Sequence, residues 1–159
     1  MGELMVVRQK DLAGLAKNVA EFAKNHQPKN RAFLLFLDGE LGGGKTTFTK
    51  HLAKAFGIAQ KVLSPTFVLI HEYDIERSGY AKMIHVDAYR LESKTDFKSL
   101  RLGDYLTAKQ NIIVIEWASR MARWLPKSDL AIRFTHKSSQ ERILEFSRLL
   151  NAGKKISKK

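Results

Sequence analysis

No cysteine occurs among the 159 residues, which excludes disulfide frameworks, zinc–thiolate sites and cysteine nucleophiles together. The five histidines, at 26, 51, 71, 85 and 136, show no ligand spacing of the H-E-x-x-H kind. No apolar run approaches the roughly 20 residues of a membrane span, and the N-terminus lacks the apolar stretch of a signal peptide. Met1-Gly2 opens as an N-myristoylation signal would, but position 6 is Val6 where Ser or Thr is required. These absences lead us to expect a cytoplasmic protein with no membrane partner. Acidic residues are also scarce, 16 against 28 basic ones, for a net charge of +12. Four of those charges are lysines in the tail 151–159, which leaves +8 on the first 150 residues. Such a surplus favours polyanions, nucleic acid among them. A triphosphate site attracts basic residues as well, and a terminal lysine run is often only solubilising. No RNA-recognition motif with interleaved aromatics is visible, so charge alone leaves direct RNA contact open.

What is present reads as a folded domain. At 44% hydrophobic and 28% charged residues, the chain has the composition of a soluble globular protein of one core. Residues 1–150 are read as one domain and 151–159 as a basic flexible tail. Leu12, Leu15, Val19, Phe22 and Ala23 share one face of a helix over 11–25, with Asp11 as its N-cap. A turn over 26–30 centres on Pro28. Residues 31–38, almost continuously apolar, read as a buried parallel strand. Phe48, Leu52, Ala55 and Phe56 line one face of a helix over 46–56, stopped by Gly57. A loop over 61–67 follows, then strands 68–74 and 80–86 around a turn at 75–79. Residues 96–106 read as one or two short helical turns broken at Gly103. A buried strand over 110–116, a helix over 118–125 and a hairpin of strands 129–135 and 141–146 complete the pattern. The fold class this predicts is α/β: one P-loop domain with a mixed, mostly parallel sheet, flanking helices and a C-terminal hairpin.

Between the first strand and its helix stands Gly39-Glu40-Leu41-Gly42-Gly43-Gly44-Lys45-Thr46, which fits G-x-x-x-x-G-K-[ST]. The pattern arises by accident in roughly half a percent of chains this long at ordinary residue usage. Its glycines let successive backbone N–H groups turn inward around a phosphate chain. Lys45 then reaches the β- and γ-phosphates, and the Thr46 hydroxyl ligates Mg²⁺. The helix N-terminus adds partial positive charge to the same anion site. The predicted nucleotide contacts are Glu40, Leu41, Gly42, Gly43, Gly44, Lys45, Thr46 and Thr47.

Three further blocks offer chemistry. The strand Asn111-Ile-Ile-Val-Ile-Glu116 ends in a carboxylate, as does the second acidic element of a P-loop enzyme, and Glu116 can hold Mg²⁺ directly or through water. The alternative is a solvated Glu capping the next helix. Trp117 follows and packs on the loop, on the nucleotide or in the core. In His85-Val-Asp-Ala-Tyr-Arg-Leu91, Asp87 is a second carboxylate suited to orienting the attacking water or a metal-bound water. Arg90 pairs with phosphate or with Asp87, unless both belong to a structural salt-bridge cluster. In Ser64-Pro-Thr-Phe67, Thr66 offers a hydroxyl where P-loop proteins carry a loop that senses the γ-phosphate.

The blocks GELGGGKTTF, SPTF, HVDAYRL and IEW, in this order and over about residues 8 to 146, resemble the TsaE (YjeE) family. Its members are small bacterial ATPases of tRNA threonylcarbamoyladenosine (t6A) synthesis. The resemblance implies a compact P-loop α/β fold and ATP hydrolysis with Mg²⁺. It implies coupling to a complex of TsaB and TsaD, which attaches threonylcarbamoyl to adenosine 37 of ANN-decoding tRNAs. The chain itself is not the transferase, and tRNA is met through the complex. By motif, Lys45 and Thr46 are the phosphate and Mg²⁺ residues, Glu116 the metal-proximal acid, Asp87 the essential acid and Thr66 a switch-like threonine. The chain departs from the family in carrying Leu12 and Ala16 where a Thr and a Gly stand near the adenine pocket. Its basicity also differs from that of many acidic relatives. No arginine finger is evident, so a partner is expected to complete the site. The alternative is a small-molecule kinase, suggested by Glu76-Arg77-Ser78, with Asp87 as catalytic base; no arginine-rich lid accompanies that motif.

Overall fold

The run Leu4-Met-Val-Val7 forms strand β1 (Glu3–Arg8), an element that the periodicity did not single out. The computed structural model describes residues 3–65, 69–76 and 78–147. A 3₁₀ turn, Gln9–Asp11, leads into α1 (Leu12–Asn25). Asp11 stands at the N-cap position but makes no side-chain cap; the 3₁₀ turn runs into α1 and leaves its backbone helical (φ −91°, ψ −8°), where a capping residue is extended. The apolar strip of α1 is buried as its period predicts: Leu12, Leu15, Ala16, Val19, Ala20 and Ala23 all face inward.

The first predicted strand is β2 (Phe33–Gly39) and the helix behind the phosphate loop is α2 (Lys45–Ala55). A hairpin of β3 (Ile70–Asp74) and β4 (Lys82–Asp87) follows. The segment read as broken helix becomes two, α3 (Lys94–Ser99) and α4 (Gly103–Thr107), and Gly103 begins the second instead of only interrupting the first. Ser93 and Asp96 close a reciprocal capping box on α3. After β5 (Asn111–Glu116), the segment expected to be helical holds two separate 3₁₀ turns, Ala118–Arg120 and Ala122–Trp124. Met121, at φ −125° and ψ 1°, leaves helical geometry between them. The closing hairpin is β6 (Leu130–His136) with β7 (Glu141–Ser147). The tail 151–159 lies outside the described residues.

The seven strands of the described residues join one mixed sheet in the order β1-β7-β6-β2-β5-β4-β3. Pairings β2–β5, β2–β6 and β4–β5 are parallel, while β1–β7, β6–β7 and β3–β4 are antiparallel. Only β3 and β7 therefore run against the common direction. On one face, Phe33, Leu35, Leu37, Ile112 and Val114 pack with α1 and α2 residues such as Val19, Phe48 and Leu52. On the other, Leu34, Phe36, Ile113 and Ile115 pack with Leu100, Leu102 and Met121. Strands buried on both faces explain the continuous apolar runs of β2 and β5. Asp129 ties the starts of β2 and β6 together. It accepts from Arg31 Nη1 at 2.6 Å, Arg31 Nη2 at 2.9 Å and the Leu34 N–H at 2.8 Å.

Candidate active site

Register brings the chemistry to one end of the sheet. Leu37 of β2 pairs with Glu116 of β5, and Glu116 pairs with Asp87 of β4. β4 and β5 therefore finish level, β2 runs two residues further to Gly39, and the phosphate loop leaves from there, at the carboxyl ends of parallel strands where α/β folds bind ligands. Side chains alternate, so Glu116 follows Ile112 and Val114 onto the α2 face. That is the face where Thr46 and Thr49 stand.

The loop itself is closely fitted. At Gly39 φ is +125°, and a Cβ there would lie 2.0 Å from the Phe134 carbonyl oxygen of β6; both facts require glycine. Gly44, at φ +105°, turns the loop into α2. Gly43 is buried, while Leu41 at the loop's apex is 75% exposed. Lys45 is only 4% exposed. Its Nζ donates to Gly39 O and Glu40 O, each at 2.8 Å, and lies 3.9 Å from the centroid of the Trp117 ring. Burial lowers its pKa below the ordinary 10.5, against the raising influence of Glu116, Asp38, Asp87 and Glu40. A desolvated ammonium held at the loop is suited to polyanionic phosphate.

Glu116, 2% exposed, is the hub of a buried polar network. Its Oε2 accepts from the Thr46 hydroxyl at 2.8 Å, and its Oε1 accepts from His85 Nε2 at 2.7 Å. Thr49 Oγ1 lies 3.4 Å from Oε1 but 3.0 Å from Lys45 O, its better acceptor. The acid expected at the strand end is therefore not a solvated helix cap. Because the Thr46 hydroxyl gives its proton to Glu116, its lone pairs remain available to a cation. Among the described residues, no group of three or more His, Cys, Asp or Glu could hold a metal alone. One hydroxyl and one adjacent carboxylate, both hard oxygen donors, nonetheless fit Mg²⁺, which takes few protein ligands and completes its shell with water and phosphate oxygens. Asp87, 4% exposed, stands beside Glu116 on the neighbouring strand, and its Oδ1 accepts the Tyr89 N–H at 2.9 Å. Thr47, half-buried, is the third residue of α2 and lies in its first turn. Thr66 lies outside the described residues, beyond Pro65, whose carbonyl accepts the Leu69 N–H at 2.6 Å.

Several neighbours were invisible in the motifs. Arg142 of β7 donates from Nε to Gly43 O at 3.2 Å, bracing the loop's outer side from 99 residues away. His136 of β6 approaches Leu41 O at 3.4 Å. A row of side chains runs from the surface to the loop lysine: Arg120 over Tyr89, Tyr89 against Trp117 and Trp117 over Lys45. Trp117 holds φ +58°, in the left-handed region that a bulky residue rarely adopts. Leu12 and Ala16, which the resemblance set beside an adenine pocket, are core residues at 2% and 0% exposure.

The family model of the threonylcarbamoyl adenosine biosynthesis protein TsaE matches residues 7–144. The tRNA threonylcarbamoyladenosine biosynthesis protein TsaE of Bacillus subtilis is 35% identical over 145 residues, covering 91% of this chain and 84% of its own. Its counterpart from Haemophilus influenzae is 33% identical over 127 residues, 79% of this chain and 77% of its own. Among solved structures, that of YdiB from Bacillus subtilis superposes with a TM-score of 0.68 at 30% identity, over 92% of this chain and 86% of that one.

Proposed function

The chain belongs to the TsaE family of tRNA threonylcarbamoyladenosine biosynthesis proteins, and from that premise we propose that it is a Mg²⁺-dependent ATPase acting with TsaB and TsaD homologues. One observation carries the reading. The loop lysine, the Thr46–Glu116 pair at 2.8 Å and Asp87 converge at level strand ends beside a helix N-terminus. Residues 40–47, with the N–H groups of the first turn of α2, and the Lys45 ammonium bind the phosphate chain of ATP. Thr46 and Glu116 hold Mg²⁺, which when bound neutralises charge on the phosphate oxygens. Asp87 orients water for in-line attack on the γ-phosphorus, releasing ADP and phosphate. Thr66 acts as the γ-phosphate switch. Catalysis is positioning and charge neutralisation, with little covalent work for the protein. The partner complex completes the site and meets the tRNA, and the threonylcarbamoyl transfer is its own.

The kinase alternative loses support from topology. Glu76 and Ser78 stand in the β3–β4 connection, at the start of β4, whereas Asp87 is its last residue. The five steps between Lys82 and Asp87 span about 17 Å at the rise of a strand. That separation keeps the acidic-serine motif from serving an acceptor at the phosphate loop.

The test is ATP hydrolysis by the purified chain, alone and with TsaB–TsaD, with Lys45→Ala as the blank. Slow turnover that the complex raises at least tenfold is the expected result. Hydrolysis indifferent to the complex would leave an ATPase but remove the pathway. Lys45→Ala should abolish tight nucleotide binding, whereas Asp87→Ala and Glu116→Ala should lower turnover more than affinity. Equal loss of binding in all three would overturn this division of roles.

A further inference from the structure

We propose that His85 is a positioning residue for the divalent cation, acting through Glu116 on the Thr46 hydroxyl; the inference rests on the nucleotide-site reading above. His85 is fully buried on β4, two residues before Asp87. Its Nε2 lies 2.7 Å from Glu116 Oε1, the shortest contact that carboxylate makes. The other ring nitrogen, Nδ1, is buried and has no hydrogen-bond partner among the described residues.

That orphan nitrogen fixes the direction of the bond. A hydrogen on Nδ1 would be a buried donor with no acceptor, at a cost of roughly 1–3 kcal/mol. If Nδ1 carried the ring's only hydrogen, Nε2 would also turn its lone pair toward a carboxylate. With the hydrogen on Nε2, the bond to Glu116 is made and Nδ1 keeps only an unshared pair. Thr49 does not substitute for this bond, because its single hydroxyl hydrogen has the nearer acceptor in Lys45 O.

The bond therefore sets the rotation of Glu116. With Oε1 held by His85, Oε2 faces Thr46 and takes its hydroxyl hydrogen at 2.8 Å. That acceptance leaves the Thr46 lone pairs free for the cation that Thr46 and Glu116 would hold. The chain His85 to Glu116 to Thr46 has the logic of outer-shell partners that orient metal ligands, whose loss typically weakens metal affinity 10- to 100-fold. His85 touches no substrate. Its effect is on the cation alone.

The experiment measures how tightly the protein binds a fluorescent, non-hydrolysable ATP analogue across a series of Mg²⁺ concentrations, and in EDTA. Three variants are compared with the parent: His85→Leu, which removes the donor; His85→Gln, whose amide nitrogen reaches the place of Nε2; and His85→Asn, whose amide reaches only the place of Nδ1. The expected result is an approximately tenfold or greater rise in half-saturating Mg²⁺ for Leu and Asn, near-parental behaviour for Gln, and unchanged affinity in EDTA throughout. An unaltered Mg²⁺ requirement in His85→Leu would overturn the proposal. So would an equal loss of EDTA affinity in all three, which marks a packing role. Should His85→Leu fail to fold, Gln against Asn decides: equal Mg²⁺ requirements in the two sink the idea. If the parent protein itself shows no Mg²⁺ dependence, the nucleotide-site reading fails first and this inference with it.

Discussion

At Lys45, burial and charge pull in opposite directions. Desolvation lowers the pKa below 10.5, and four carboxylates, led by Glu116, pull it back up. Desolvation is the larger effect, so the folded protein releases this proton at a lower pH than an unfolded chain does. Between those two points the unfolded state binds more protons, and this residue's contribution to stability rises with pH. Anion binding has the opposite sign, because the charge that attracts phosphate disappears through the same window. Nucleotide affinity should therefore begin to fall on the alkaline side before pH 10.5, as titrations with a fluorescent nucleotide at increasing pH would reveal. Affinity that stays flat up to the ordinary lysine value would contradict the buried-ammonium picture.

Among the elements, the C-terminal hairpin does more than close the sheet. Phe134 of β6 underlies Gly39, Gly43 and Gly44, and Arg142 of β7 holds the Gly43 carbonyl on the loop's outside. Holding that carbonyl restrains the peptide between Gly43 and Gly44 within the loop. Arg142→Met keeps the aliphatic stem but removes the bond, and should weaken nucleotide binding about tenfold, the worth of one charge-assisted hydrogen bond. A thermal midpoint lowered by no more than a few degrees would show that the fold survives. Unchanged affinity would confine Arg142 to the hairpin turn, where Nη1 also binds Ser138 O and Glu141 O. None of this was readable from motifs, because contacts between residues 99 positions apart leave no local signal. The loop, by contrast, was legible since its glycines, lysine and threonine are contiguous and each has a backbone or charge requirement. Glu116 and Asp87 were legible because each ends an apolar strand. His85 sat inside a recognised block, but its partner is on another strand and only register brings them together. Strand β1 was missed for a similar reason, as its partner β7 lies at the far end of the sequence.

For the molecule as a whole, a net charge of +12 makes contact with nucleic acid an electrostatic question. If the chain touches tRNA directly, log affinity should fall linearly with log salt, at about 0.9 per phosphate neutralised on duplex and 0.7 on single strands. On direct contact, binding of tRNA by the isolated chain, measured from low to physiological salt, gives a slope of several. Removing residues 151–159, with four lysines, should reduce it while nucleotide affinity stays as before. A slope near zero would mean that tRNA is met only through partners.

The position of β1 also governs timing. It precedes the other described strands, yet its neighbour in the sheet is β7, the latest of them. On a chain emerging from the ribosome, β1 waits without that partner until residues 141–147 have been made, and the phosphate loop lacks Arg142 for the same interval. A truncated product thus carries an exposed strand edge and an unbraced loop, and edges of that kind invite association. The brace on the phosphate loop is acquired only when β7 takes its place between β1 and β6.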